Sequence, residues 1–241
     1  MSDFALQVHN ISKSFHLARR KRDSLREYLA HPLTKTEYNT LHALKEISFD
    51  VKAGEFLGII GKNGSGKSTL LRILAGIYEP DQGSILRHGK ISPFLELGVG
   101  FNPELTGREN VYLSGSILGL RRKQINQIYN HIVSFAQVER FMDQPLKNFS
   151  SGMTVRLAFS LAIHSVADIL LLDEVLAVGD QEFQNKCFDV FQNFKRDGKT
   201  IILVSHSLDV MKDFCDRVIW IDQGKIVAQG SPAEMITRYQ A

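Results

Sequence analysis

Phe56-Leu57-Gly58-Ile59-Ile60-Gly61-Lys62-Asn63-Gly64-Ser65-Gly66-Lys67-Ser68-Thr69 is the stretch whose reading decides the fold. The apolar pentad predicts a buried strand, the glycine-rich segment a tight loop, and Leu70-Leu71-Arg72-Ile73-Leu74 a helix behind it. Glycines let the backbone curl until successive N–H groups converge on one anion, and the helix adds the positive end of its dipole. In that setting Lys67 reaches the outer phosphates of a nucleoside triphosphate and Ser68 offers its hydroxyl to Mg²⁺. Gly61, Lys62, Asn63, Gly64, Ser65, Gly66 and Thr69 complete the cradle.

Working outward, Ile169-Leu170-Leu171-Leu172-Asp173-Glu174 is an apolar run ending in two acids. Such a run predicts a buried strand of a parallel sheet, with its acids at the edge where ligands bind in open α/β folds. Asp173 is the expected Mg²⁺ holder and Glu174 the general base that polarises a water. Alone, the pair also fits a solvated acidic turn.

The chain has 241 residues, enough for one large domain or two closely packed lobes, and a formal charge of +3, which gives no argument for nucleic acid as a partner. Cys187 and Cys215 lack metal-ligand spacing and read as buried thiols of a reducing compartment. No apolar run reaches spanning length, and Met1-Ser2-Asp3-Phe4 is not a secretory leader. Work at a membrane then requires a partner that spans it.

Strands are expected over Phe4–Phe15, His42–Val51, Ile201–Val204 and Val218–Ile221. Pro80-Asp81-Gln82-Gly83 reads as a turn, and Ser84–Ser92 as a hairpin around His88-Gly89. From Phe94 to Ala167 the period becomes helical, with Ile125, Ile128, Ile132 and Phe135 on one face and Val155, Phe159 and Ala162 on another. A further helix carries Phe183, Cys187, Val190, Phe191 and Phe194. The expected division is a sheet core over residues 1–93 and 168–241, with a helical lobe over 94–167 inserted into it. Residues 16–40 stand apart, opening with Arg19-Arg20-Lys21-Arg22; Leu25, Tyr28 and Leu29 then suggest a short amphipathic helix near lipid or a partner, or else one packed turn of a solvated basic loop.

The remaining motifs narrow the class. Phe149-Ser150-Ser151-Gly152-Met153 resembles the signature motif of ATP-binding cassette (ABC) proteins, Ala177-Val178-Gly179-Asp180 resembles their D-loop, and Val204-Ser205-His206 their histidine switch. Order and spacing match over roughly residues 4–235. The Ser-Ser-Gly-Met signature, the run Leu95–Asn110, Asp173–Asp180 and the insertion after Phe15 resemble the ATPase subunits of bacterial polysaccharide exporters, which move O-antigen, teichoic acid or related lipid-linked polymers.

The resemblance implies an α/β fold, a P-loop NTPase (RecA-like) nucleotide-binding domain with an antiparallel β-subdomain and an inserted helical subdomain. It implies ATP and Mg²⁺, a head-to-tail homodimer, and a peripheral position on the cytoplasmic face of the inner membrane beside a separate transmembrane subunit. Each ATP would lie between Lys62–Thr69 of one copy and Ser150, Ser151, Gly152 and Met153 of the other, with Asp180 bridging the copies. His206 would hold the γ-phosphate; a strand-end histidine in a polar network is the plainer reading. Phe15 would stack on adenine, or simply pack. The glutamine usual in the Q-loop is replaced by Glu96, or by Leu97 if the register slips by one, which brings a carboxylate beside Mg²⁺. Some such subunits carry a carbohydrate-binding domain after the cassette; with the chain ending at Ala241, that domain is expected to be absent. The alternatives are an exporter ATPase for another cargo (lipid, drug or teichoic acid), a soluble cassette ATPase, or an ATP-binding regulator. The soluble cassettes usually have a long coiled coil or two cassettes in one chain, and the acids and histidine argue against the regulator.

Overall fold

The computed structural model describes residues 3–18, 38–94, 98–164, 167–173, 180–205 and 207–240. Its centre is a six-stranded sheet in the order β5 (Ile91–Phe94), β6 (Ile169–Asp173), β7 (Thr200–Val204), β3 (Phe56–Ile60), β8 (Arg217–Asp222) and β9 (Lys225–Gly230). The first five are parallel and β9 returns antiparallel. β3 and β7 are buried at every position, because layers cover both faces of the sheet.

Alternation along each strand divides the core. Leu57 and Ile59 of β3, with Leu171 and Ile202, face an antiparallel sheet and α1 (Lys67–Leu74). That second sheet has the order β2 (Tyr38–Lys52), β1 (Phe4–Ala18), β4 (Gln82–Arg87). Phe56 and Ile60, with Leu170, Leu172 and Leu203, face the opposite layer. There lie α5 (Gln181–Arg196), α6 (Leu208–Phe214) and α7 (Pro232–Gln240). A third apolar cluster is built by α2 (Gly107–Ile117), α3 (Arg122–Ala136) and α4 (Ser151–Ile163) around Val111, Ile125, Ile132, Leu157 and Leu161. α4 faces two ways: Leu157 and Leu161 pack in the helical cluster, while Phe159 and Ala162 join the sheet core. Phe135, Phe159 and Phe183 form a seam of ring contacts at 5.5–6.1 Å that ties α3 and α4 to α5.

Three expectations need correcting. Ser84–Ser92 is not a hairpin: β4 pairs with β1, while β5 pairs in parallel with β6 in the other sheet. The His88 N–H donates to the Ala5 carbonyl and the Lys90 N–H to Asp168, so each side of Gly89 is claimed by a different sheet. The expected turn at Pro80–Gly83 is also shorter, because Gln82 already pairs with Ser12. The insertion begins later than expected, since the β1–β2 ladder continues through His16↔Thr40 to Ala18↔Tyr38. Arg19–Arg22, Leu25, Tyr28 and Leu29 lie outside the described residues.

At the end of the sheet away from the glycine-rich loop, Arg217 of β8 pairs with Glu55 at 2.7 Å and also donates to the Asp50 carbonyl and to Gln229. Glu55 keeps only 9% of its side chain exposed. Arg217→Met is expected to cost about 3 kcal/mol, because it leaves a nearly buried carboxylate without its cation. Urea unfolding at neutral pH checks this, and adding Glu55→Gln should recover part of the loss.

Candidate functional site

The loop after β3 turns on three glycines with left-handed φ: Gly61 at 155°, Gly64 at 78° and Gly66 at 110°. A Cβ on Gly61 would stand 2.2 Å from the Ile221 carbonyl, and one on Gly66 2.6 Å from that of Ala43. Backbone from two neighbouring strands thus presses on the loop, and only glycine fits there. Gly66→Ala is expected to lower stability by about 2–4 kcal/mol through backbone strain and clash. A thermal melt reads the loss, and nucleotide affinity should fall with it.

Lys67 opens α1 and is buried at 6% exposure. Its ammonium donates to the carbonyls of Gly61 at 2.7 Å and Lys62 at 3.0 Å, which closes the loop over the helix N-terminus. Lys62, Asn63 and Gly64 form an exposed rim, Ser68 is exposed, and Thr69 is half-buried. The Ser65 N–H donates to the Lys62 carbonyl, and the Gly224 N–H to that of Ser65. The Ser65 hydroxyl is buried without a hydrogen-bond partner. The N-cap of α1 is Gly66, with no side-chain cap. An uncapped helix start, a buried cation and curled backbone make a donor set suited to an anion with several oxygens, and a triphosphate fits it.

Topology brings the acidic strand end to the same edge. Asp173 is half-buried at the end of β6 and pairs with Val204 of β7, which pairs with Ile59 of β3. Ser205 follows Val204 and its hydroxyl accepts from the Ser207 N–H at 3.0 Å. Glu174, His206 and Glu96 lie outside the described residues. Phe15 is half-buried in β1, opposite Leu41, with its ring edge-on to Tyr78 at 5.7 Å.

The signature stands on the other lobe. Ser150 is the N-cap of α4 and its hydroxyl accepts from the Met153 N–H at 3.2 Å, which leaves the hydroxyl hydrogen available to donate. Ser150, Ser151 and Gly152 are exposed and Met153 is half-buried. A Cβ on Gly152 would meet nothing nearer than Ser150 at 3.9 Å, so its surroundings are open.

Asp180, exposed at the start of α5, is bound through both carboxylate oxygens within its own chain. It caps α5, with one carboxylate oxygen accepting from the Phe183 N–H at 3.0 Å. The other pairs with Arg156 of α4 at 2.6 Å. The hydrogen bond from Phe183 is the main influence holding its pKa below the usual carboxylate range, and Arg156 adds to it. Arg156 also donates to Gln137 and lies over the Phe183 ring. Sequence reading missed this strut, because nothing in the spacing of residues 137, 156 and 180 brings them together.

A family description, ABC transporter, matches residues 44–177. The chain is 42% identical over 240 residues to the O-antigen export system ATP-binding protein RfbB of Klebsiella pneumoniae, covering 98% of this chain and 97% of that one. It is 44% identical to the ABC transporter protein AbcA of Aeromonas salmonicida, covering 99% of this chain and 77% of that one. It is 41% identical to the teichoic acids export ATP-binding protein TagH of Listeria monocytogenes serotype 4b, covering 95% of this chain and 68% of that one. Among solved structures, an ATP-binding cassette in a dimeric post-hydrolysis state with ADP and Pi superposes with a TM-score of 0.74 at 22% identity, over 94% of this chain and 98% of that one. That likeness shows the shared fold. The chain belongs to the ABC transporter family and is its ATP-binding, ATP-hydrolysing domain.

Proposed function

We propose that two copies of this chain close head to tail on two ATP molecules and power export of a lipid-linked polysaccharide, O-antigen or a similar polymer, through a separate transmembrane subunit. The observation that carries the cargo is the end-to-end likeness to an O-antigen export ATP-binding protein, 42% identical over 97% of its length. The likeness to a teichoic acids export protein supports a second polymer of the same lipid-linked kind. Among the described residues no helix is long and apolar enough to cross a membrane. The likeness to export ATP-binding proteins supports a peripheral subunit at the cytoplasmic face of a membrane that its partner spans.

Lys67 and the backbone from Gly61 to Thr69 hold the β- and γ-phosphates, and Phe15 stacks on adenine. Ser68 and Asp173 hold Mg²⁺, with Glu96 as a further carboxylate near it. When bound, Mg²⁺ neutralises charge developing on the transferred phosphoryl group. Glu174 takes the proton of the attacking water and His206 orients that water against the γ-phosphate. Ser150, Ser151, Gly152 and Met153 of the second copy close the site with the start of α4, 13 residues long and aligned to favour an anion. Asp180 bridges the two copies, and within its own chain it ties α4 to α5 through Arg156. Closure on ATP draws the helical lobes together, and hydrolysis lets them part.

The test is depletion in the host followed by rescue. Lipid-linked glycan should build up in the cytoplasm and vanish from the surface, and unaltered protein but not Glu174→Gln should restore it. Normal surface glycan after depletion would overturn the cargo.

A further inference from the structure

The loop that leads into α2 is stitched to the segment that leads into the signature. The Leu146 N–H donates to the Leu105 carbonyl at 2.8 Å, and the Lys147 N–H to that of Pro103 at 2.9 Å. In the other direction the Gly107 N–H donates to the Gln144 carbonyl at 3.1 Å and the Arg108 N–H to that of Met142 at 2.8 Å. Lys147 also pairs with Glu104 at 2.8 Å. Beyond this junction come one 3₁₀ turn, Leu146–Asn148, then Phe149 and Ser150, the N-cap of α4. Asn110 holds the loop's side of the junction. It is fully buried; its amide nitrogen donates to the carbonyls of Asn102, Leu105 and Thr106 at 2.9–3.0 Å, and its amide oxygen accepts from the Asn102 N–H at 2.7 Å. An apolar side chain of that size would satisfy none of these groups. Gly107 holds the signature's side. A Cβ there would stand 2.8 Å from Phe149 Cζ and 3.2 Å from Met142 Sδ, so the Phe149 ring rests on the bare backbone of Gly107. The same ring meets Phe141 edge to face at 6.1 Å.

Asn110 and Gly107 are both buried and do not themselves reach a nucleotide. We propose that they are positioning residues for the signature: they fix the backbone from Leu146 to Ser150, and so set where the start of α4 meets the γ-phosphate held by the other copy. Ser150, Ser151 and Gly152 are exposed, so the start of that helix is placed from behind, through Phe149 and the turn before it. Directional hydrogen bonds confine a backbone more narrowly than apolar contact does, and a group that must clasp a phosphate needs placement to a fraction of an ångström. The proposal rests on the reading that the signature completes the other copy's site; it adds the residues that aim it.

Two variants of the full chain test it. Asn110→Ala removes the clamp on the loop. Gly107→Ala keeps every hydrogen bond of the junction and favours the helix, so its effect passes through Phe149. Each should lower ATP turnover at least about tenfold while nucleotide affinity stays within about twofold. Subunit mixing then assigns the defect. With Lys67→Ala, which breaks the phosphate loop, either variant should give turnover above the mean of the two components, because one site in each mixed dimer joins an intact loop to an intact signature. With Gly152→Asp, which breaks the signature, it should give no rise, because both sites then carry a damaged signature. Unchanged turnover, weakened nucleotide binding or any other mixing pattern overturns the inference. A thermal melt shows which variants are folded; should Asn110→Ala not be, Gly107→Ala decides. The control is Lys67→Ala mixed with Gly152→Asp: no rise there breaks the shared-site reading itself, which separates the two failures.

Discussion

Glu174→Gln is expected to bind ATP, hold two copies together and turn ATP over about 10²–10⁴-fold more slowly than the unaltered chain. Asp173, the last residue of β6, sits beside the end of β7 at the loop-bearing edge of the sheet. In the proposed site Glu174, next in the chain after Asp173, takes a proton from water beside a bound γ-phosphate. Glutamine keeps the size and hydrogen bonding of glutamate but cannot accept the proton. Binding and closure then proceed while the chemical step stalls, so the closed dimer accumulates. Sedimentation with and without ATP reads the dimer, and phosphate release reads the rate. A variant that stays monomeric at saturating ATP would remove the two-copy site from the account.

Lys67→Ala should remove nucleotide binding and cut turnover by at least about 10³-fold, because it deletes the one buried cation of the loop and its charge stabilisation. The same change leaves the carbonyls of Gly61 and Lys62 without their donor, and these are the atoms that hold the loop curled. A stability loss of about 1–3 kcal/mol should accompany it. Lys67→Arg should not rescue binding, since a planar fork cannot replace a compact ammonium in so closed a site. Nucleotide titration of the alanine and arginine variants, with a melt of each, distinguishes a broken site from a broken fold. Unchanged turnover in Lys67→Ala would contradict the assignment of the loop.

Where local pattern and tertiary need agree, the sequence is readable. Phe56–Ile60, Ile169–Leu172 and Ile201–Val204 are apolar throughout because the strands they form are covered on both faces. Ser150 as an N-cap and Asp180 as another are legible from residue type alone. The Ser84–Ser92 region misleads because His88-Gly89 has the composition of a hairpin turn, while the partners of its two flanks come from distant chain segments, β1 and β6. β9 escapes notice for a different reason. Its turn, Gln223-Gly224, places both residues at positive φ, as a two-residue hairpin requires, but glutamine is an uncommon choice there. Its three consecutive apolar residues, Ile226-Val227-Ala228, hide the alternation of exposed and half-buried positions along the strand, and no position is fully buried. The Arg156–Asp180 strut is invisible in one dimension, since it joins two helices from different lobes.

The most direct test of a site shared between two copies is subunit mixing. Lys67→Ala disables the loop, and Gly152→Asp places a carboxylate where the γ-phosphate should meet α4; the open space around Gly152 lets that residue change without disturbing the fold. Each variant alone should be inactive. Mixed in equal amounts, half of the dimers pair one of each, and each such dimer keeps one site with an intact loop and an intact signature. ATP turnover should then rise to as much as roughly a quarter of the unaltered level. A mixture as inactive as its two components would contradict a site built from the loop of one copy and the signature of the other.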